Sequence, residues 1–137
     1  MRYLGLDLGT KTLGIAISDK IGLIATPITI LRHNEDFNFL IDELKKIILE
    51  KEVDVIVLGL PKNMNNTIGE RGEMVLKFKE LLESNLSLPI YLEDERLSTR
   101  VAENVLISAD VSRKKRKQVI DKMAATVILQ SYLDRIK

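Results

Sequence analysis

The sequence lacks several residue types that support common kinds of functional site. It has no cysteine and no tryptophan, and His33 is its one histidine. A chain without cysteine forms neither disulfides nor thiolate zinc sites, and it has no cysteine nucleophile. A single imidazole also excludes sites that need two histidines. Because aromatic residues make up only 4% of the chain, a platform on which nucleic-acid bases stack is not expected.

Long hydrophobic runs are absent as well. No segment approaches the roughly 20 apolar residues that span a bilayer, and Asp7 interrupts the N-terminal segment, which excludes a signal peptide. The length of 137 residues suits one domain, which we expect to cover residues 1–137. These features favour a cytoplasmic protein with no membrane partner.

The charged residues balance in number but not in position. Lysine and arginine number 21 and aspartate and glutamate 20, so the formal net charge is +1. Residues 111–137 hold 8 of the basic residues and only 2 acidic ones, which leaves an acidic excess in residues 1–110. The acids suit metal ions, and the basic segment suits a phosphate backbone.

Hydrophobic periodicity predicts the element order βββαβαβαα. The first three strands are expected at residues 3–8, 14–18 and 23–31, joined by short turns as in an antiparallel meander. Pro27 in the third strand suits an edge position or a bulge. The other expected elements are a helix at 35–51, a strand at 53–58, a helix at 68–84, a strand at 89–93, a helix at 98–107 and a last helix ending near 135.

Local signals set some of these boundaries. Residues 59–61, with the sequence Gly-Leu-Pro, are expected to end the fourth strand, and Thr67 with Glu70 matches a capping box for the second helix. The order predicts an α/β fold with a mixed five-stranded sheet, an antiparallel meander plus two parallel strands, and helices on both faces. That arrangement is typical of ribonuclease H-like domains.

Acidic residues stand at three places that this fold would bring together. Asp7 lies in the first strand, a run of three acids at residues 93–95 ends the fifth strand, and Asp121 borders the apolar stripe of the last helix. A carboxylate in a packed strand is costly unless it is paired or binds a cation. Each acid also has an ordinary interpretation: Asp7 as a cap for turn amides, residues 93–95 as a solvated loop, and Asp121 as the partner of a nearby lysine.

Three converging carboxylates would form a site of oxygen ligands alone, which select Mg²⁺ or Mn²⁺. Two such ions about 4 Å apart support in-line hydrolysis of a phosphodiester. No histidine base is required, in agreement with the composition.

Four sequence blocks in order carry a resemblance over essentially the whole chain. They are residues 4–11 with 14–16 and 18–19, residues 59–61 with 63–64, residues 94–96 with 98–99 and 102, and Asp121 with 124–125 and 128–134. In these blocks the sequence resembles the YqgF (RuvX-like) family of ribonuclease H-like bacterial proteins.

The resemblance implies that Asp7, Glu95 and Asp121 are the catalytic, metal-binding set, and it leaves open whether Glu93 or Asp94 assists Glu95. It also implies a nuclease that processes the 5′ end of the 16S ribosomal RNA precursor, with Holliday junction resolution as the alternative. The expected partner is therefore a structured RNA precursor or a branched DNA. A monomer or a homodimer is expected, and a resolvase would be a symmetric dimer.

Basic and amide side chains are the candidates for binding nucleic acid. Five consecutive cations open the last helix, where they oppose the helix dipole, so phosphate binding explains them better than helix stability does. A solvated charge run is the alternative for these cations, and a simple turn is the alternative for the amides. The candidates are Lys11, Asn63, Arg96, Arg113, Lys114, Lys115, Arg116 and Lys117.

Two other function classes stay open. Residues 6–10 followed by Gly14 resemble the first phosphate loop of actin-like ATPases and sugar kinases, although those folds use two related domains. A nucleotide-binding module is therefore one alternative. The other is a non-catalytic nucleic-acid-binding protein of ribosome maturation, which would bind RNA without any metal dependence.

Overall fold

The computed structural model describes residues 1–62, 65, 67–95 and 112–136, and of residues 113–122 it describes the backbone alone. The described elements alternate as the hydrophobic pattern predicts, and the helix expected at residues 98–107 lies outside the described residues. In chain order the elements are β1 (Tyr3–Leu8), β2 (Thr12–Ser18), β3 (Ala25–Arg32), α1 (Phe37–Lys51), β4 (Val55–Leu60), α2 (Glu70–Asn85), β5 (Ile90–Asp94) and α3 (Arg113–Arg135).

The five strands form one mixed sheet in the order β3-β2-β1-β4-β5. β1 pairs antiparallel with β2 and parallel with β4, while β3 and β5 lie at the two edges. The predicted sheet is therefore confirmed, with β1 at its centre. Pro27 lies in the edge strand β3, and the β2–β3 register shifts between Ile15 and Ala16, so both expectations for this proline are met.

Each face of the sheet has its own core. Leu4, Leu6 and Leu8 alternate along β1 and are fully buried in a cluster with residues of α1 and α2, among them Leu44 and Phe78. The opposite face packs against α3, which contributes Ala125, Ile128, Leu129 and Leu133 to a second cluster. All six residues of β4 are buried, as expected for a strand covered on both sides. Helices thus cover both faces, as predicted.

Small residues let α3 lie close to the centre of the sheet. A Cβ atom added at Gly5 would lie 2.7 Å from Leu129 Cβ and 3.0 Å from the Ala125 carbonyl oxygen. One added at Gly14, the partner of Asp7 in β2, would lie 3.5 Å from Ala125 Cβ. The backbone of β1 and the helix are therefore almost in direct contact.

The two local signals that were expected to set element boundaries are both wrong. Gly59 and Leu60 belong to β4 rather than ending it, because both still pair with β5. α2 begins at Glu70 with Gly69 as its N-cap, and no side chain caps it, so the expected capping box does not form. The Thr67 hydroxyl instead donates to Asn65 Oδ1 at 2.6 Å, which takes it away from the helix. Across the described part of the chain, no helix is long and apolar enough to cross a membrane.

We predict that Gly5→Ala destabilises the protein by about 1–3 kcal/mol, because the new methyl group would overlap Leu129 and force α3 away from the sheet. Gly9→Ala is the matched control, since its Cβ would come no nearer than 3.4 Å to Thr12 Oγ1. Urea unfolding of both variants gives the comparison. Equal stability losses in the two variants would contradict a close contact between β1 and α3.

Candidate active site

Two of the predicted acids meet at the carboxyl ends of the strands. Asp7 lies near the end of β1 on the face covered by α3, and Glu95 directly follows the last residue of β5. The Glu95 side chain extends over Gly59 of β4 toward Asp7, close enough for the Asp7 carboxyl group to raise the pKa of Glu95. Because β4 lies between β1 and β5, the two side chains meet across the middle strand, a span of about two strand spacings of ~4.8 Å.

Gly59 makes this contact possible. It lies in β4, between the two acids, and a Cβ atom added there would lie 2.8 Å from Glu95 Oε1 and 3.0 Å from Glu95 Cγ. Any side chain at this position would occupy the space through which Glu95 reaches Asp7. The same added atom would lie 2.6 Å from Ile128 Cδ1 of α3. We call the space above Gly59 the β4 notch.

The surroundings hold a proton on Glu95. Burial raises the pKa of this carboxyl most, the hydrogen bond and charge of Asp7 raise it further, and Asp94 adds a smaller effect of the same sign. Arg71 opposes them, and the net result is a pKa of about 9. At neutral pH and without a cation, Glu95 is therefore protonated, since two neighbouring acids in a partly buried site favour a shared proton.

From its C-terminus to its N-terminus, the backbone of α3 runs toward the end of the sheet where Asp7 and Glu95 lie. Tyr132 packs against Tyr3 at the start of β1, and Ala125 lies beside Gly5 and Gly14 further along. Position 121 is one turn beyond Ala125, about 6 Å along the helix axis. The helix thus carries this position toward the end of the sheet where Asp7 lies. The side chain of Asp121 is outside the described residues, and the described ones contain no cluster of three or more His, Cys, Asp or Glu suited to a metal ion.

The candidate nucleic-acid contacts are only partly described. Lys11 is exposed in the turn between β1 and β2, four residues after Asp7. Residues 113–117 form the first turns of α3, so the predicted helical start of the basic run is confirmed for the backbone. Asn63 and Arg96 lie outside the described residues.

Glu93 and Asp94 act differently on the site. Glu93 is 6% exposed, and Arg135 Nη2 at the C-terminal end of α3 donates to its Oε1 at 2.6 Å. This ion pair ties β5 to α3 and directs Glu93 away from Asp7. Asp94 instead raises the pKa of Glu95 through its charge. Of the two neighbours, Asp94 is the one whose charge acts on Glu95.

His33 is buried, with only 2% of it exposed. Its Nδ1 accepts from the Glu35 backbone N–H at 2.9 Å, which leaves Nε2 to donate to the Gly9 carbonyl at 2.9 Å. Its own backbone N–H donates to the Lys11 carbonyl at 2.9 Å. His33 therefore fixes the loop that follows Asp7, a role that no motif in the sequence signals.

Arg71 is a second residue that the sequence does not single out. Its Nη2 donates to the Leu8 carbonyl oxygen at 3.3 Å, next to Asp7, and its charge lowers the pKa of Glu95. One signal exists in the sequence: Arg71 is a cation in the first turn of a helix, where Glu70 and Glu73 are favoured by the helix dipole.

We predict that the metal-free protein loses stability as the pH rises from 4.5, the ordinary pKa of Glu95, to its raised value of about 9. Over this range the unfolded chain releases a proton that the folded chain retains, so rising pH favours unfolding. Glu95→Gln removes this proton, and its stability relative to the parent protein should increase steadily with pH. Denaturant unfolding in EDTA between about pH 5.5 and 8.5 measures the difference.

Glu50→Gln is the control for this comparison, because Glu50 is an exposed carboxyl on α1, away from the site. Its stability should follow that of the parent protein at every pH. If Glu95→Gln behaves in the same way as Glu50→Gln, Glu95 does not share a proton with Asp7.

Comparisons with known proteins assign the sequence to a family. The family model described as "RuvX: Holliday junction resolvase" matches residues 1–135. A protein of Geobacillus sp. (strain WCH70), named "Putative pre-16S rRNA nuclease", is 63% identical over 135 residues, 98% of this chain and 98% of that protein. One of Bacillus cereus (strain AH187) with the same name is 57% identical over 138 residues, 98% of this chain and 99% of that protein.

The fold has a counterpart among solved structures. "T. thermophilus RuvC in complex with Holliday junction substrate" superposes with a TM-score of 0.62 at 11% identity, over 99% of this chain and 96% of that chain. This likeness confirms the ribonuclease H-like fold. Since the family model and the relatives span nearly the whole sequence, the chain belongs to the RuvX (YqgF) family, as its four sequence blocks predict.

Proposed function

We propose that this protein is a metal-dependent nuclease that processes the 5′ end of the 16S ribosomal RNA precursor. The observation that carries the proposal is the contact between the Asp7 and Glu95 carboxyl groups at the carboxyl ends of the strands. Open α/β sheets bind their ligands at this edge. The name of the relative that is 63% identical supplies the substrate class. A ribosomal RNA precursor as substrate implies a cytoplasmic protein.

The acid pair fits a divalent cation. Both groups offer only carboxylate oxygens, the donors that Mg²⁺ and Mn²⁺ prefer. The proton on Glu95 offsets the repulsion between the two carboxylates, and a doubly charged ion would offset it more completely. We assign one or two such ions to Asp7, Glu95 and Asp121. When bound, they supply a water nucleophile near neutral pH and stabilise the leaving oxygen.

Residues of the chain hold the reacting side chains in place. Asp7 is held by the central strand, which is paired on both sides. The β4 notch keeps the path of Glu95 toward it clear. His33 fixes the loop that carries Lys11, and we assign the Lys11 ammonium to the phosphate backbone of the substrate. The reacting groups are thus held by a strand and a fastened loop, which limits their misplacement.

The basic start of α3 supplies the second part of the substrate site. We assign phosphate binding on either side of the scissile bond to Arg113, Lys114, Lys115, Arg116 and Lys117, with Asn63 and Arg96 as further contacts. The C-terminal half of α3 packs on the sheet, which leaves the basic end of the helix beyond the sheet core. Binding led by phosphates should weaken steeply with salt.

Holliday junction resolution is the second candidate function. The description of the matching family model names it, and the structure of T. thermophilus RuvC was determined with a Holliday junction. A resolvase must cut two symmetric strands, which calls for a homodimer, whereas end processing of an RNA needs only a monomer. The oligomeric state bound to substrate therefore bears on the choice.

We predict that Asp7→Asn lowers cleavage of a 16S precursor fragment by about 100-fold or more, because it removes a ligand of the charge-stabilising ion. The assay compares reactions in Mg²⁺, Mn²⁺ and EDTA. Glu50→Gln, far from the site on α1, should cleave like the parent protein. A four-way DNA junction is assayed in parallel.

The outcomes separate the function classes. Cleavage by Asp7→Asn at the parent rate would contradict the acidic site. Paired symmetric cuts in the junction, with the precursor left intact, would favour the resolvase. Unchanged RNA binding by Asp7→Asn and no cleavage by either protein would indicate a non-catalytic binding protein, and saturable ATP binding alone would indicate a nucleotide-binding module.

A further inference from the structure

Arg71 lies where the central strands of the sheet separate. The pairing between β1 and β4 ends at Leu6 and Leu58, although both strands continue for two more residues. Beyond that point the Leu8 carbonyl oxygen accepts a hydrogen bond from Arg71 Nη2 instead, at 3.3 Å. The guanidinium thus enters the gap at the carboxyl ends of the strands, the edge on which Asp7 and Glu95 meet.

The start of α2 is held firmly against this edge. A Cβ atom added at Gly72 would lie 2.9 Å from the Pro61 carbonyl oxygen, so the first turn of the helix packs directly on the end of β4. Arg71 precedes this contact by one residue, and its side chain reaches from α2 to the last residue of β1. Two strand ends therefore fix its position.

The Arg71 guanidinium lies near the two acids, but its hydrogen bond among the described residues goes elsewhere. Its charge lowers the pKa of Glu95, yet among the described residues its hydrogen bond goes to a backbone carbonyl and the residue stays exposed. A guanidinium has five N–H donors, and the described residues supply an acceptor for one of them. This arrangement leaves a permanent positive charge on an exposed residue beside the two acids.

A nucleic acid that approaches two carboxylates meets electrostatic repulsion. A planar guanidinium matches the oxygens of a phosphate and remains charged at every relevant pH. We propose that Arg71 binds a phosphate of the nucleic-acid substrate on the α2 side of the acid pair. The proposal rests on the proposed nuclease function and adds to it a contact on the helix opposite α3.

The test measures binding separately from cleavage. Arg71→Gln, Arg71→Lys and the control Lys77→Gln are compared with the parent protein for binding a 16S precursor fragment in EDTA, over a series of salt concentrations. Lys77 is an exposed cation on the same helix, so its loss removes one charge without touching the site. Thermal unfolding of each variant checks the fold.

We expect Arg71→Gln to weaken binding about 10-fold at low salt and to lower the salt dependence of log K by about 1, as for the loss of one phosphate contact. Arg71→Lys should recover the salt dependence, because the charge returns, while cleavage stays reduced because the paired donors are lost. Lys77→Gln should change neither quantity. Removing the cation should also strengthen Mg²⁺ binding to the acids, seen as a larger rise in Tm with Mg²⁺.

A purely structural role for Arg71 predicts a loss of stability without a change in the salt dependence of binding. If Arg71→Gln lowers Tm but keeps the parent salt dependence, or if Lys77→Gln lowers that dependence equally, the phosphate contact is wrong. Should the parent protein bind the fragment but cleave no substrate, the nuclease proposal fails. A reduced salt dependence in Arg71→Gln would then still support the phosphate contact.

Discussion

The contact between the Asp7 and Glu95 carboxyl groups is the constraint on which the rest of the structure depends. Two like-charged groups meet in a half-buried place only because a proton, or a cation in its stead, lies between them. The contact spans β4, so it also requires that the middle strand carry no side chain at that level. Charge, strand order and the composition of β4 are thus linked through one pair of side chains.

One face of the sheet provides the apolar core, and the other carries the acids of the candidate site. On one face, leucines of β1 are fully buried against α1 and α2, which is the favourable burial that folding requires. On the other face, glycines and alanines allow α3 to approach, and the acids occupy the end of the same face. Because the first face provides a full apolar core, the second can hold an energetically costly group such as Glu95.

The sequence predicted what depends on local pattern. Alternating leucines place β1 at residues 3–8 as observed, and the position of Asp7 and Glu95 at strand ends predicted that they would meet. The sequence suggests that Gly59 ends a strand, because a glycine signals a break and nothing local shows that residues 59 and 60 still pair with β5. The reason for this glycine is Glu95, which is distant in sequence.

The residues that the sequence missed act through backbone groups. Arg71 contacts the carbonyl of a residue 63 positions away, and His33 contacts one 24 positions away. Such partners leave no pattern in a single sequence, because every residue type offers the same carbonyl oxygen. Charge and periodicity indicate where side chains gather, but the backbone contacts that hold them are set by the tertiary fold.

The β4 notch also requires side chains of different length at the two acidic positions. The Glu95 side chain reaches across the middle strand with its two methylene groups, whereas Asp7 has one methylene group and lies in the central strand. An exchange of the two, with glutamate at 7 and aspartate at 95, would keep the charge and composition of the site. It would nevertheless leave the shorter side chain at the position that has to reach across β4. The acids of this site are therefore matched to their strands by reach, and not by charge alone.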